Sequence, residues 1–385
     1  MSGWPVLAVA LACLAVHLAT VGLCLARPAR QGGSRAGLLG LPPVTLLRPV
    51  CGRDAFDAET LASSFAQDYP AYEIIFCARS EADPAVALVR RLIAAHPGAR
   101  ARLLVGAGAV TGNPKLDNLR KGWTAAAHDW ICMTDSNLLL PPDYLRAVVD
   151  AWDPRTGLVS SPPVGTRPEG LAGHLECSFL NGNQARLQLA ADSLGHGFAQ
   201  GKTLFWNRPM LDRAGGLPVL GRHLAEDASA TRLVRGVGLA VRLTSRPFAQ
   251  PIGRRTLRQV WDRQLRWSRV RRDGFPALFA AEIANGAALP TLVLALAGAL
   301  LGLPASALAG STAAFVALWY GAELLLVRRA GWPSRPADLA VLPLRDLMLP
   351  LIWAATFLDR GIEWRGTAMA PPPSRGAARR GESTA

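Results

Sequence analysis

The sequence predicts an α/β fold of the doubly wound type, held between an N-terminal membrane anchor and C-terminal transmembrane helices. Half of the 385 residues are hydrophobic and the mean hydropathy is +0.19, which is high for a wholly soluble chain of this length. Apolar runs long enough to cross a bilayer lie near both ends. Between them, short runs of branched apolar residues alternate with stretches of helical spacing, as in a parallel sheet covered by helices.

The first element, residues 1–27, is predicted to be a transmembrane anchor. Residues 5–26 are apolar apart from His17, and a run of about 22 residues matches the thickness of a bilayer core. Arginines follow this run, starting at Arg27, whereas a cleaved signal peptide carries its positive charge in front. By the positive-inside rule, the N-terminus faces out and the chain from residue 27 onward faces the cytoplasm.

The second element, residues 44–283, is predicted to be the cytoplasmic domain. Segment 157–168 is rich in proline and glycine and is predicted to be mostly loop. Ligands of a doubly wound sheet bind at the carboxyl ends of its strands, so the functional residues are expected there. Buried parallel strands are predicted at residues 45–50, 73–78, 101–106 and 130–135.

The third element, residues 284–360, is predicted to be a membrane region. Segments 288–308 and 311–327 are expected to form a helical hairpin through the bilayer, with Glu323 as its one ionisable side chain. Residues 361–385 are predicted to be a basic, mostly disordered tail.

Segment 339–358 is ambiguous because two charged residues, Arg345 and Asp346, interrupt it. It lies partly at the interface, pairs with other helices, or spans the bilayer with both charges held in protein. A full crossing would place the basic tail outside, against the positive-inside rule, so a re-entrant or interfacial segment is favoured.

The formal net charge of +14 suits a protein that lies on an anionic cytoplasmic leaflet. Nucleic acid would suit the same charge, but the sequence has neither zinc-ligand spacing nor a nucleic-acid-binding module, and no nucleic acid is expected as a partner. The six cysteines form no CxxC pair, which fits a reducing compartment.

Three aspartates follow or open predicted elements. Asp135 ends the strand WICMTD, where a carboxylate meets a ligand above the sheet, although loops often begin with Asp for turn reasons alone. Asp83 precedes Pro84 and has the pattern of a helix N-cap. Asp227 follows Glu226, so the pair either complements a helix dipole or supplies a general base.

A helix is predicted over residues 256–272, beginning at a capping box of Thr256 and Gln259. On it, Arg263, Arg266 and Trp267 share one side. The helix is either an amphipathic element at the membrane interface or a wall of the active site.

Taken together, these motifs resemble the ceramide glucosyltransferase family (family 21, related to family 2), whose members are lipid-directed glycosyltransferases of the GT-A fold. The family pattern is three separated aspartates followed by (Q/R)xxRW. The corresponding positions are Asp83 in SEADP, Asp135 in TDSN, Asp227 in AEDASA, and RQLRW at 263–267. The likeness extends from about residue 44 to residue 366.

This resemblance implies a UDP-sugar donor and a divalent cation, Mg²⁺ or Mn²⁺. Asp83 and Lys115 would bind the nucleotide, and Asp135 would act on the diphosphate through the cation. The sequence Asp135-Ser136-Asn137 lacks the second carboxylate of a DxD metal site. Asp227 would be the general base. The residues holding the departing diphosphate would be Arg263, Arg266 and Trp267.

The implied function is an inverting membrane glycosyltransferase that moves one glucose from UDP-glucose to a lipid hydroxyl, with ceramide as the first acceptor. Diacylglycerol or a hopanoid polyol, with UDP-N-acetylglucosamine or UDP-galactose, is the alternative, and a polysaccharide synthase is another. A non-enzymatic basic membrane-surface protein is the third class. The abundance of Ala, Arg and Gly is typical of a bacterial protein. Together with the apolar segments, it leads us to expect a multi-pass protein of a bacterial inner membrane, with its catalytic domain in the cytoplasm. Acceptor contacts are expected in residues 195–206, at His196 and Gln200.

The interfacial helix is expected to divide its basic residues between two tasks. Arg263, Arg266 and Trp267 would face the nucleotide. The remaining arginines, at positions 269, 271 and 272, would contact lipid headgroups.

Overall fold

A computed structural model of the chain describes residues 3–27, 40–106, 108, 111, 113–221 and 225–358, together with the backbone of two short strands after residue 361. The chain begins with helix α1, Trp4–Ala26, as the apolar run predicts. Large apolar side chains of α1, such as Val9 and Val16, are more than half exposed, whereas one face of the helix is buried against the protein. This distribution is expected of a helix that packs against the protein on one face and meets apolar surroundings on the other.

A seven-stranded sheet forms the centre of the molecule, in the order β3-β2-β1-β4-β7-β5-β8. The four predicted strands are confirmed within a residue or two at each end. β7 runs antiparallel to both of its neighbours, whereas the other pairs in the sheet are parallel. The strands are β1 Val44–Pro49, β2 Tyr72–Ala78, β3 Ala101–Val105, β4 Trp130–Thr134, β5 Thr156–Ser160, β7 Thr203–Asn207 and β8 Ala240–Leu243.

Alternate residues of the central strands enter two different cores, as the period of a strand requires. Leu47 and Ile131 pack with Leu119 and Val234 on one face of the sheet. The opposite face is covered by other helices, and Leu46 belongs to that core. The helices of this half are α2 Asp57–Ala62, α3 Pro84–Ala95, α4 Pro114–Ala125 and α5 Tyr144–Asp150.

The prediction that segment 157–168 is mostly loop is wrong. It contains most of β5 and most of β6, Pro163–Glu169. β6 pairs in parallel with β9, Phe248–Arg254, in a separate two-stranded sheet. A strand with one partner has one side free of ladder hydrogen bonds, so it tolerates Pro163 and Pro168. The prolines therefore mark an edge strand rather than a loop.

A long helical run follows β6 and changes its winding in the middle. It consists of α6, Gly170–Ser178, a π-helical segment, Phe179–Ala185, and α7, Arg186–Ser193. Its residues Ala185 and Leu189 pack with Val21 near the end of α1. After β7, three helices complete the domain: α8 Arg208–Arg213, α9 Gly216–Leu220 and α10 Glu226–Gly236.

The predicted interfacial helix is α11, Leu257–Gly274, and the capping box of Thr256 and Gln259 is present. Two apolar residues of this helix, Val260 and Leu265, are not available to a membrane, because they pack in one cluster with α6 and a C-terminal helix. A short helix, α12, Pro276–Glu282, follows. Val260 and Leu265 therefore belong to the protein core, whereas Leu257 of the same helix is half exposed.

Two of the arginines predicted to contact headgroups are bound within the protein, which corrects that expectation. Arg271 forms an ion pair with Glu282, and its Nε lies 3.0 Å from Glu282 Oε2. Arg272 donates to the carbonyl of Thr356 and lies 3.0 Å from Asp273 Oδ1. Because Glu282 is buried, pairing within the protein replaces the proposed lipid contact.

The C-terminal hairpin consists of α13, Ala288–Leu300, and α14, Ala305–Arg329. The turn lies before residue 305, rather than between 308 and 311 as predicted, because Gly302 has a φ of 71° and ends α13. Within the described residues, α1 and α14 are long and apolar enough to cross a membrane, whereas α13 has 13 residues.

Segment 339–358 contains the last two residues of α15, Pro336–Ala340, and all of α16, Leu342–Ala355. At 14 residues, α16 is about 21 Å long and shorter than a bilayer core of about 30 Å. Its Arg345 and Asp346 are buried and paired inside the protein, the former with Glu323 of α14. The structure thus matches the alternative in which the segment pairs with other helices.

The first residues of the predicted tail include an antiparallel pair of strands, β10 Ile362–Trp364 and β11 Thr367–Met369. The remainder of that tail, from residue 370, lies outside the described residues.

Candidate active site

A cavity of about 1300 Å³ opens where β1 and β4 end. Pro49 and Cys51 line it from the end of β1, and Asp135 and Asn137 line it from the loop after β4. The cavity therefore lies at the carboxyl edge of the parallel strands, the position at which doubly wound sheets bind ligands.

Lys115 is the centre of the charged network in this cavity. Its Nζ lies 2.7 Å from Asp135 Oδ1 and 2.7 Å from Glu226 Oε1, and it donates to the carbonyl of Gly201 at 2.7 Å. Lys115 is placed in the first turn of α4 because the Asn113 side chain caps that helix. One ammonium group thus joins the β4 loop to the start of α10.

The second lysine of the network follows from the antiparallel pairing of β7. Thr134 of β4 faces Thr203 of β7, so Asp135 and Lys202, the next residues outward, are neighbours. Lys202 Nζ lies 3.0 Å from Asp135 Oδ2 and 2.9 Å from Asn137 Oδ1. Both carboxylate oxygens of Asp135 therefore face an ammonium group.

These pairs shift the pKa values of the buried groups. Burial alone would raise the pKa of the Asp135 carboxyl, but Lys115 and Lys202 outweigh it and hold this pKa well below its ordinary value. Burial would lower the pKa of Lys115, but the carboxylates of Asp135 and Glu226 outweigh it and raise this pKa. Asp135 and Lys115 are thus charged throughout the physiological range.

Asp227 is a carboxylate of a different kind. Burial, followed by the charge of the adjacent Glu226, raises the pKa of Asp227 to about 6. The backbone N–H of Gly201 donates to Oδ2 at 3.0 Å and that of Ala228 to Oδ1 at 2.8 Å, which fixes the carboxylate at the start of α10. Such a group accepts a proton near neutral pH and holds its orientation while doing so.

The three predicted residues of α11 also line the cavity: Arg263, Arg266 and Trp267. Arg263 Nη1 lies 2.8 Å from Oε1 of the buried Glu176, and its guanidinium carbon lies 6.0 Å from the ring centre of Trp267. The structure therefore brings together six of the predicted site residues, namely these three with Lys115, Asp135 and Asp227.

Asp83 is the predicted site residue that does not line this cavity. It is the N-cap of α3, as its sequence pattern indicates, and accepts from the Ala85 N–H at 2.9 Å. It also accepts from the Gly52 N–H at 3.0 Å. Asp83 thus holds the loop that carries Cys51, a lining residue, and its direct contact with a nucleotide stays a prediction.

Sequence reasoning missed several residues of the site. Glu226 pairs with Lys115, and Glu176 pairs with Arg263 across a long stretch of sequence. The buried Arg48 donates to the carbonyls of Asp135, at 2.8 Å, and of Ser136, at 3.0 Å, and so holds the β4 loop in place.

One composition signal pointed to Lys202. The chain has three lysines, at positions 115, 121 and 202, among its 42 basic residues, and two of the three bind Asp135. A compact ammonium group suits a confined site between carboxylates better than a planar guanidinium group. His196 and Gln200, predicted as acceptor contacts, also line the cavity.

The donor atoms beside Asp135 fit a divalent cation. Mg²⁺ takes oxygen ligands, commonly one or two protein carboxylates with phosphate oxygens completing the set. The Asp135 carboxylate and the Asn137 amide oxygen are such donors, and both already attract the ammonium group of Lys202. In the part of the chain that the structure describes, no cluster of three His, Cys, Asp or Glu residues could hold a metal alone.

The other end of the cavity is apolar. Val16 of α1, Leu194 at the end of α7 and Leu278 of α12 line it, and each of these side chains is more than half exposed. Three exposed large side chains on three elements form an open apolar rim. The cavity thus connects a charged end at the sheet with an apolar opening beside α1.

Comparisons with known proteins agree with this architecture. The model of a family described as "Glycosyl transferase family 21" matches residues 4–372. Ceramide glucosyltransferase 1 of Caenorhabditis elegans is 28% identical over 257 residues, which are 66% of this chain and 55% of that protein. The ceramide glucosyltransferase of Komagataella phaffii is 39% identical over 129 residues, 31% of this chain and 25% of that protein. The chain thus spans about half the length, or less, of these relatives.

A mannosyltransferase of Pyrobaculum calidifontis, solved in complex with GDP-Man and Mn²⁺, has a similar structure. The TM-score is 0.50 at 21% identity, covering 89% of this chain and 99% of that one. This likeness concerns the fold and confirms the predicted GT-A type. Since the family model matches nearly the whole chain, the chain belongs to glycosyl transferase family 21.

Proposed function

We propose that this chain transfers a single glucose from UDP-glucose to the hydroxyl of a membrane lipid, with inversion at the anomeric carbon, and that ceramide is the acceptor. One observation carries the proposal: the cavity that contains Asp227 and Lys115 also opens through an apolar rim beside α1. A water-soluble acceptor needs no such rim, whereas a lipid must keep its chains in an apolar environment while its hydroxyl reaches the carboxylate. Names of the relatives support the choice of ceramide.

In the proposed reaction Asp227 is the general base. Its carboxylate takes the proton of the lipid hydroxyl while that oxygen forms a bond to the anomeric carbon of the sugar. The bond between this carbon and the diphosphate oxygen breaks, and its electron pair leaves with UDP. Attack from the side opposite the leaving group inverts the configuration.

The departing diphosphate would be held by the basic residues of the cavity. Arg263 and Arg266 project from α11, and their guanidinium groups suit phosphate oxygens, on which charge develops during the reaction. Asp135 would hold the divalent cation, which supplies positive charge beside the diphosphate when bound. Lys115 would keep Asp135 ionised and correctly placed.

The membrane assignment rests on α1, α14 and the exposed apolar side chains of α1. Arginines lie at the C-terminal ends of these helices: Arg27 directly after α1, and Arg328 and Arg329 in the last turn of α14. By the positive-inside rule these ends face the cytoplasm, and the catalytic domain follows Arg27 on the same side. We propose a multi-pass protein of a bacterial inner membrane, with the site facing the cytoplasm.

A two-way substrate panel tests the proposal. The full chain, reconstituted in lipid nanodiscs with Mg²⁺ or Mn²⁺, is offered each of UDP-glucose, UDP-galactose and UDP-N-acetylglucosamine against ceramide, diacylglycerol and a polyol lipid. Mass spectrometry of the lipid products should show one added hexose on ceramide with UDP-glucose. Products carrying long polymers, or no glycosylated lipid from any pair despite UDP-glucose binding, would overturn the proposal.

A further inference from the structure

The π-helical segment between α6 and α7 carries two amide side chains that line the cavity, Asn183 and Gln184. Both are at least nine-tenths buried, with exposed fractions of 5% and 9%. A π-helical turn is rare and is frequently found at functional sites. The segment therefore calls for a role beyond connecting two helices.

These amides are incompletely hydrogen-bonded. Gln184 Nε2 donates to Gln264 Oε1 at 3.0 Å, which joins the segment to α11. Gln184 Oε1, Gln264 Nε2 and Asn183 Oδ1 are buried without a protein partner. A buried polar group left unpaired costs free energy, so an uncharged ligand that pairs with these groups gains affinity.

The chemistry of the missing partner follows from the Gln184 and Gln264 pair. Two primary amides that share one hydrogen bond leave one carbonyl oxygen and one NH₂ group, whichever way the two amides are turned. A ligand group that both donates and accepts a hydrogen bond satisfies Gln184 in either orientation. A secondary amide and a hydroxyl are such groups, whereas an ester accepts only.

Packing behind the π-helical segment prevents its backbone from moving away from the cavity. A side chain at Gly182 would overlap the Glu323 carboxylate, which is paired with Arg345. Arg186 Nε donates to the Gly182 carbonyl at 2.6 Å. Because the backbone is fixed against this charged cluster, Asn183 and Gln184 stay at the cavity wall.

The amides adjoin, along the chain, residues of both kinds that line the cavity. Gln264 is in α11, directly after Arg263, and its partner Gln184 precedes Leu187 by one helical turn. Arg263 belongs to the charged end, and Leu187 lines the same cavity as the exposed Leu194. A lipid with its hydroxyl at the carboxylate and its chains at the rim would place its linking group at this level.

We infer that Gln184, backed by Gln264 and flanked by Asn183, recognises a hydrogen-bonding group next to the acceptor hydroxyl, one that both donates and accepts, such as a secondary amide or a second hydroxyl. This inference rests on the proposed lipid acceptor and sharpens it. The site selects lipids of the sphingoid type and rejects diacylglycerol, whose linking groups are esters. Gln184 is a specificity-determining residue in this account.

Four lipids separate the possible partners. Ceramide offers an amide N–H and a second hydroxyl, N-methylceramide lacks the N–H, 3-deoxyceramide lacks the second hydroxyl, and diacylglycerol lacks both. The full chain in nanodiscs is assayed with UDP-glucose and each lipid, and kcat/KM is measured. The ratio of kcat/KM for ceramide to kcat/KM for diacylglycerol is expected to fall about tenfold in Gln184→Leu, because one hydrogen bond to ceramide is lost. The loss seen with one of the two intermediate lipids identifies the recognised group.

Gln188→Leu is the matched control, since Gln188 lies one turn further along the same helical run, is fully buried and does not line the cavity. This variant is expected to change stability but not the lipid ratio. An unchanged ratio in Gln184→Leu, or equal use of ceramide and diacylglycerol by the wild type, would overturn the inference.

Binding separates a failure of this inference from a failure of the proposed reaction. Equilibrium binding of fluorescent ceramide and diacylglycerol is measured on Asp227→Asn protein with UDP, with and without Gln184→Leu. Selective ceramide binding that Gln184→Leu removes, with no transfer by the wild type, supports the amide site and refutes the reaction. Transfer to lipid with no selectivity refutes the amide site alone.

Discussion

The ammonium group of Lys115 lies 2.7 Å from the Oδ1 atom of Asp135. This contact joins the first turn of α4 to the loop after β4, so one ion pair connects two elements at the edge of the sheet. The contact also keeps the Asp135 carboxylate ionised, because the neighbouring ammonium groups hold its pKa well below the ordinary value.

Replacing Lys115 by arginine keeps the charge but not the geometry. The planar guanidinium group is larger and cannot lie between the Asp135 and Glu226 carboxylates as a compact ammonium group does. We expect Lys115→Arg to weaken UDP-sugar binding and to lower kcat/KM by about tenfold or more. Lys121→Arg, at a lysine outside the cavity lining, is the control and should change neither quantity in calorimetric binding and product assays.

Removing the proposed base should separate binding from turnover. Asp227→Asn is nearly isosteric and retains hydrogen-bond acceptance at one atom, but the amide cannot take the hydroxyl proton. We expect kcat to fall by roughly 10²- to 10⁴-fold while the Kd for UDP-glucose changes little. Asp129→Asn, at an exposed carboxylate paired with Arg208, should leave both values unchanged. Retained turnover in the Asp227 variant would assign the base elsewhere.

The pH dependence of kcat/KM should report the ionisation of Asp227. A base acts when deprotonated, and the pKa of Asp227 is raised to about 6. Activity should therefore be level above this pH and fall by roughly tenfold per unit below it. Glu226→Gln removes a negative charge that raises this pKa, so the acid limb should move to lower pH. If the acid limb of the profile moves in Asp227→Glu but stays in place in Glu226→Gln, the charge of Glu226 is not what raises the pKa of Asp227.

Two arginines of α11 should give different phenotypes. Arg266 lines the cavity and faces the proposed diphosphate position, so Arg266→Ala should lower kcat with a small change in melting temperature. Arg271 also lines the cavity, but it pairs with the buried Glu282, so Arg271→Ala leaves that carboxylate uncompensated and should lower the melting temperature. Differential scanning fluorimetry measures the melting temperature of each variant, and a product assay measures its kcat. If binding to lipid vesicles weakens only in Arg271→Ala, Arg271 contacts lipid headgroups after all.

The pair of Arg345 and Glu323 should be required for folding rather than for chemistry. Both side chains are almost fully buried, and Arg345 also pairs with Asp346. Arg345→Met removes the cation that pairs with two buried carboxylates, Glu323 and Asp346, and breaking such a pair costs about 3–5 kcal/mol. We expect a strong loss of folded protein by size-exclusion chromatography. The double variant Arg345→Met/Glu323→Gln should recover part of that loss, and failure to do so would argue against pairing as the cause.

Local patterns in the sequence predict much of this molecule. Strands β1 to β4 are short apolar runs, and both predicted caps, at Asp83 and Thr256, occur where expected. Asp135 could be placed at the ligand edge because a parallel strand ends immediately before it. These features depend on residues close together in the chain.

The rest depends on partners that lie far apart in sequence. Lys202 meets Asp135 only because β7 runs antiparallel beside β4, a direction that an apolar run does not encode. Likewise, Arg345 and Asp346 interrupt an apolar segment of the sequence, and their partners are apparent only in the fold. Arg345 pairs with Glu323, and the backbone N–H of Ala287 donates to Asp346. The partner of a charge is a property of the assembled fold.

Arg27 fixes the relation between the anchor and the catalytic domain. Its guanidinium group pairs with Asp192 at 2.7 Å and donates to the carbonyls of Leu243, at 3.1 Å, and Thr244, at 3.0 Å, directly after α1 ends. The end of α1 is therefore fixed to the domain by the contacts of Arg27 itself. If α1 spans the bilayer as proposed, the height of the Asp227 carboxylate above the lipid surface is built into the fold, and each acceptor must rise by a set distance to react.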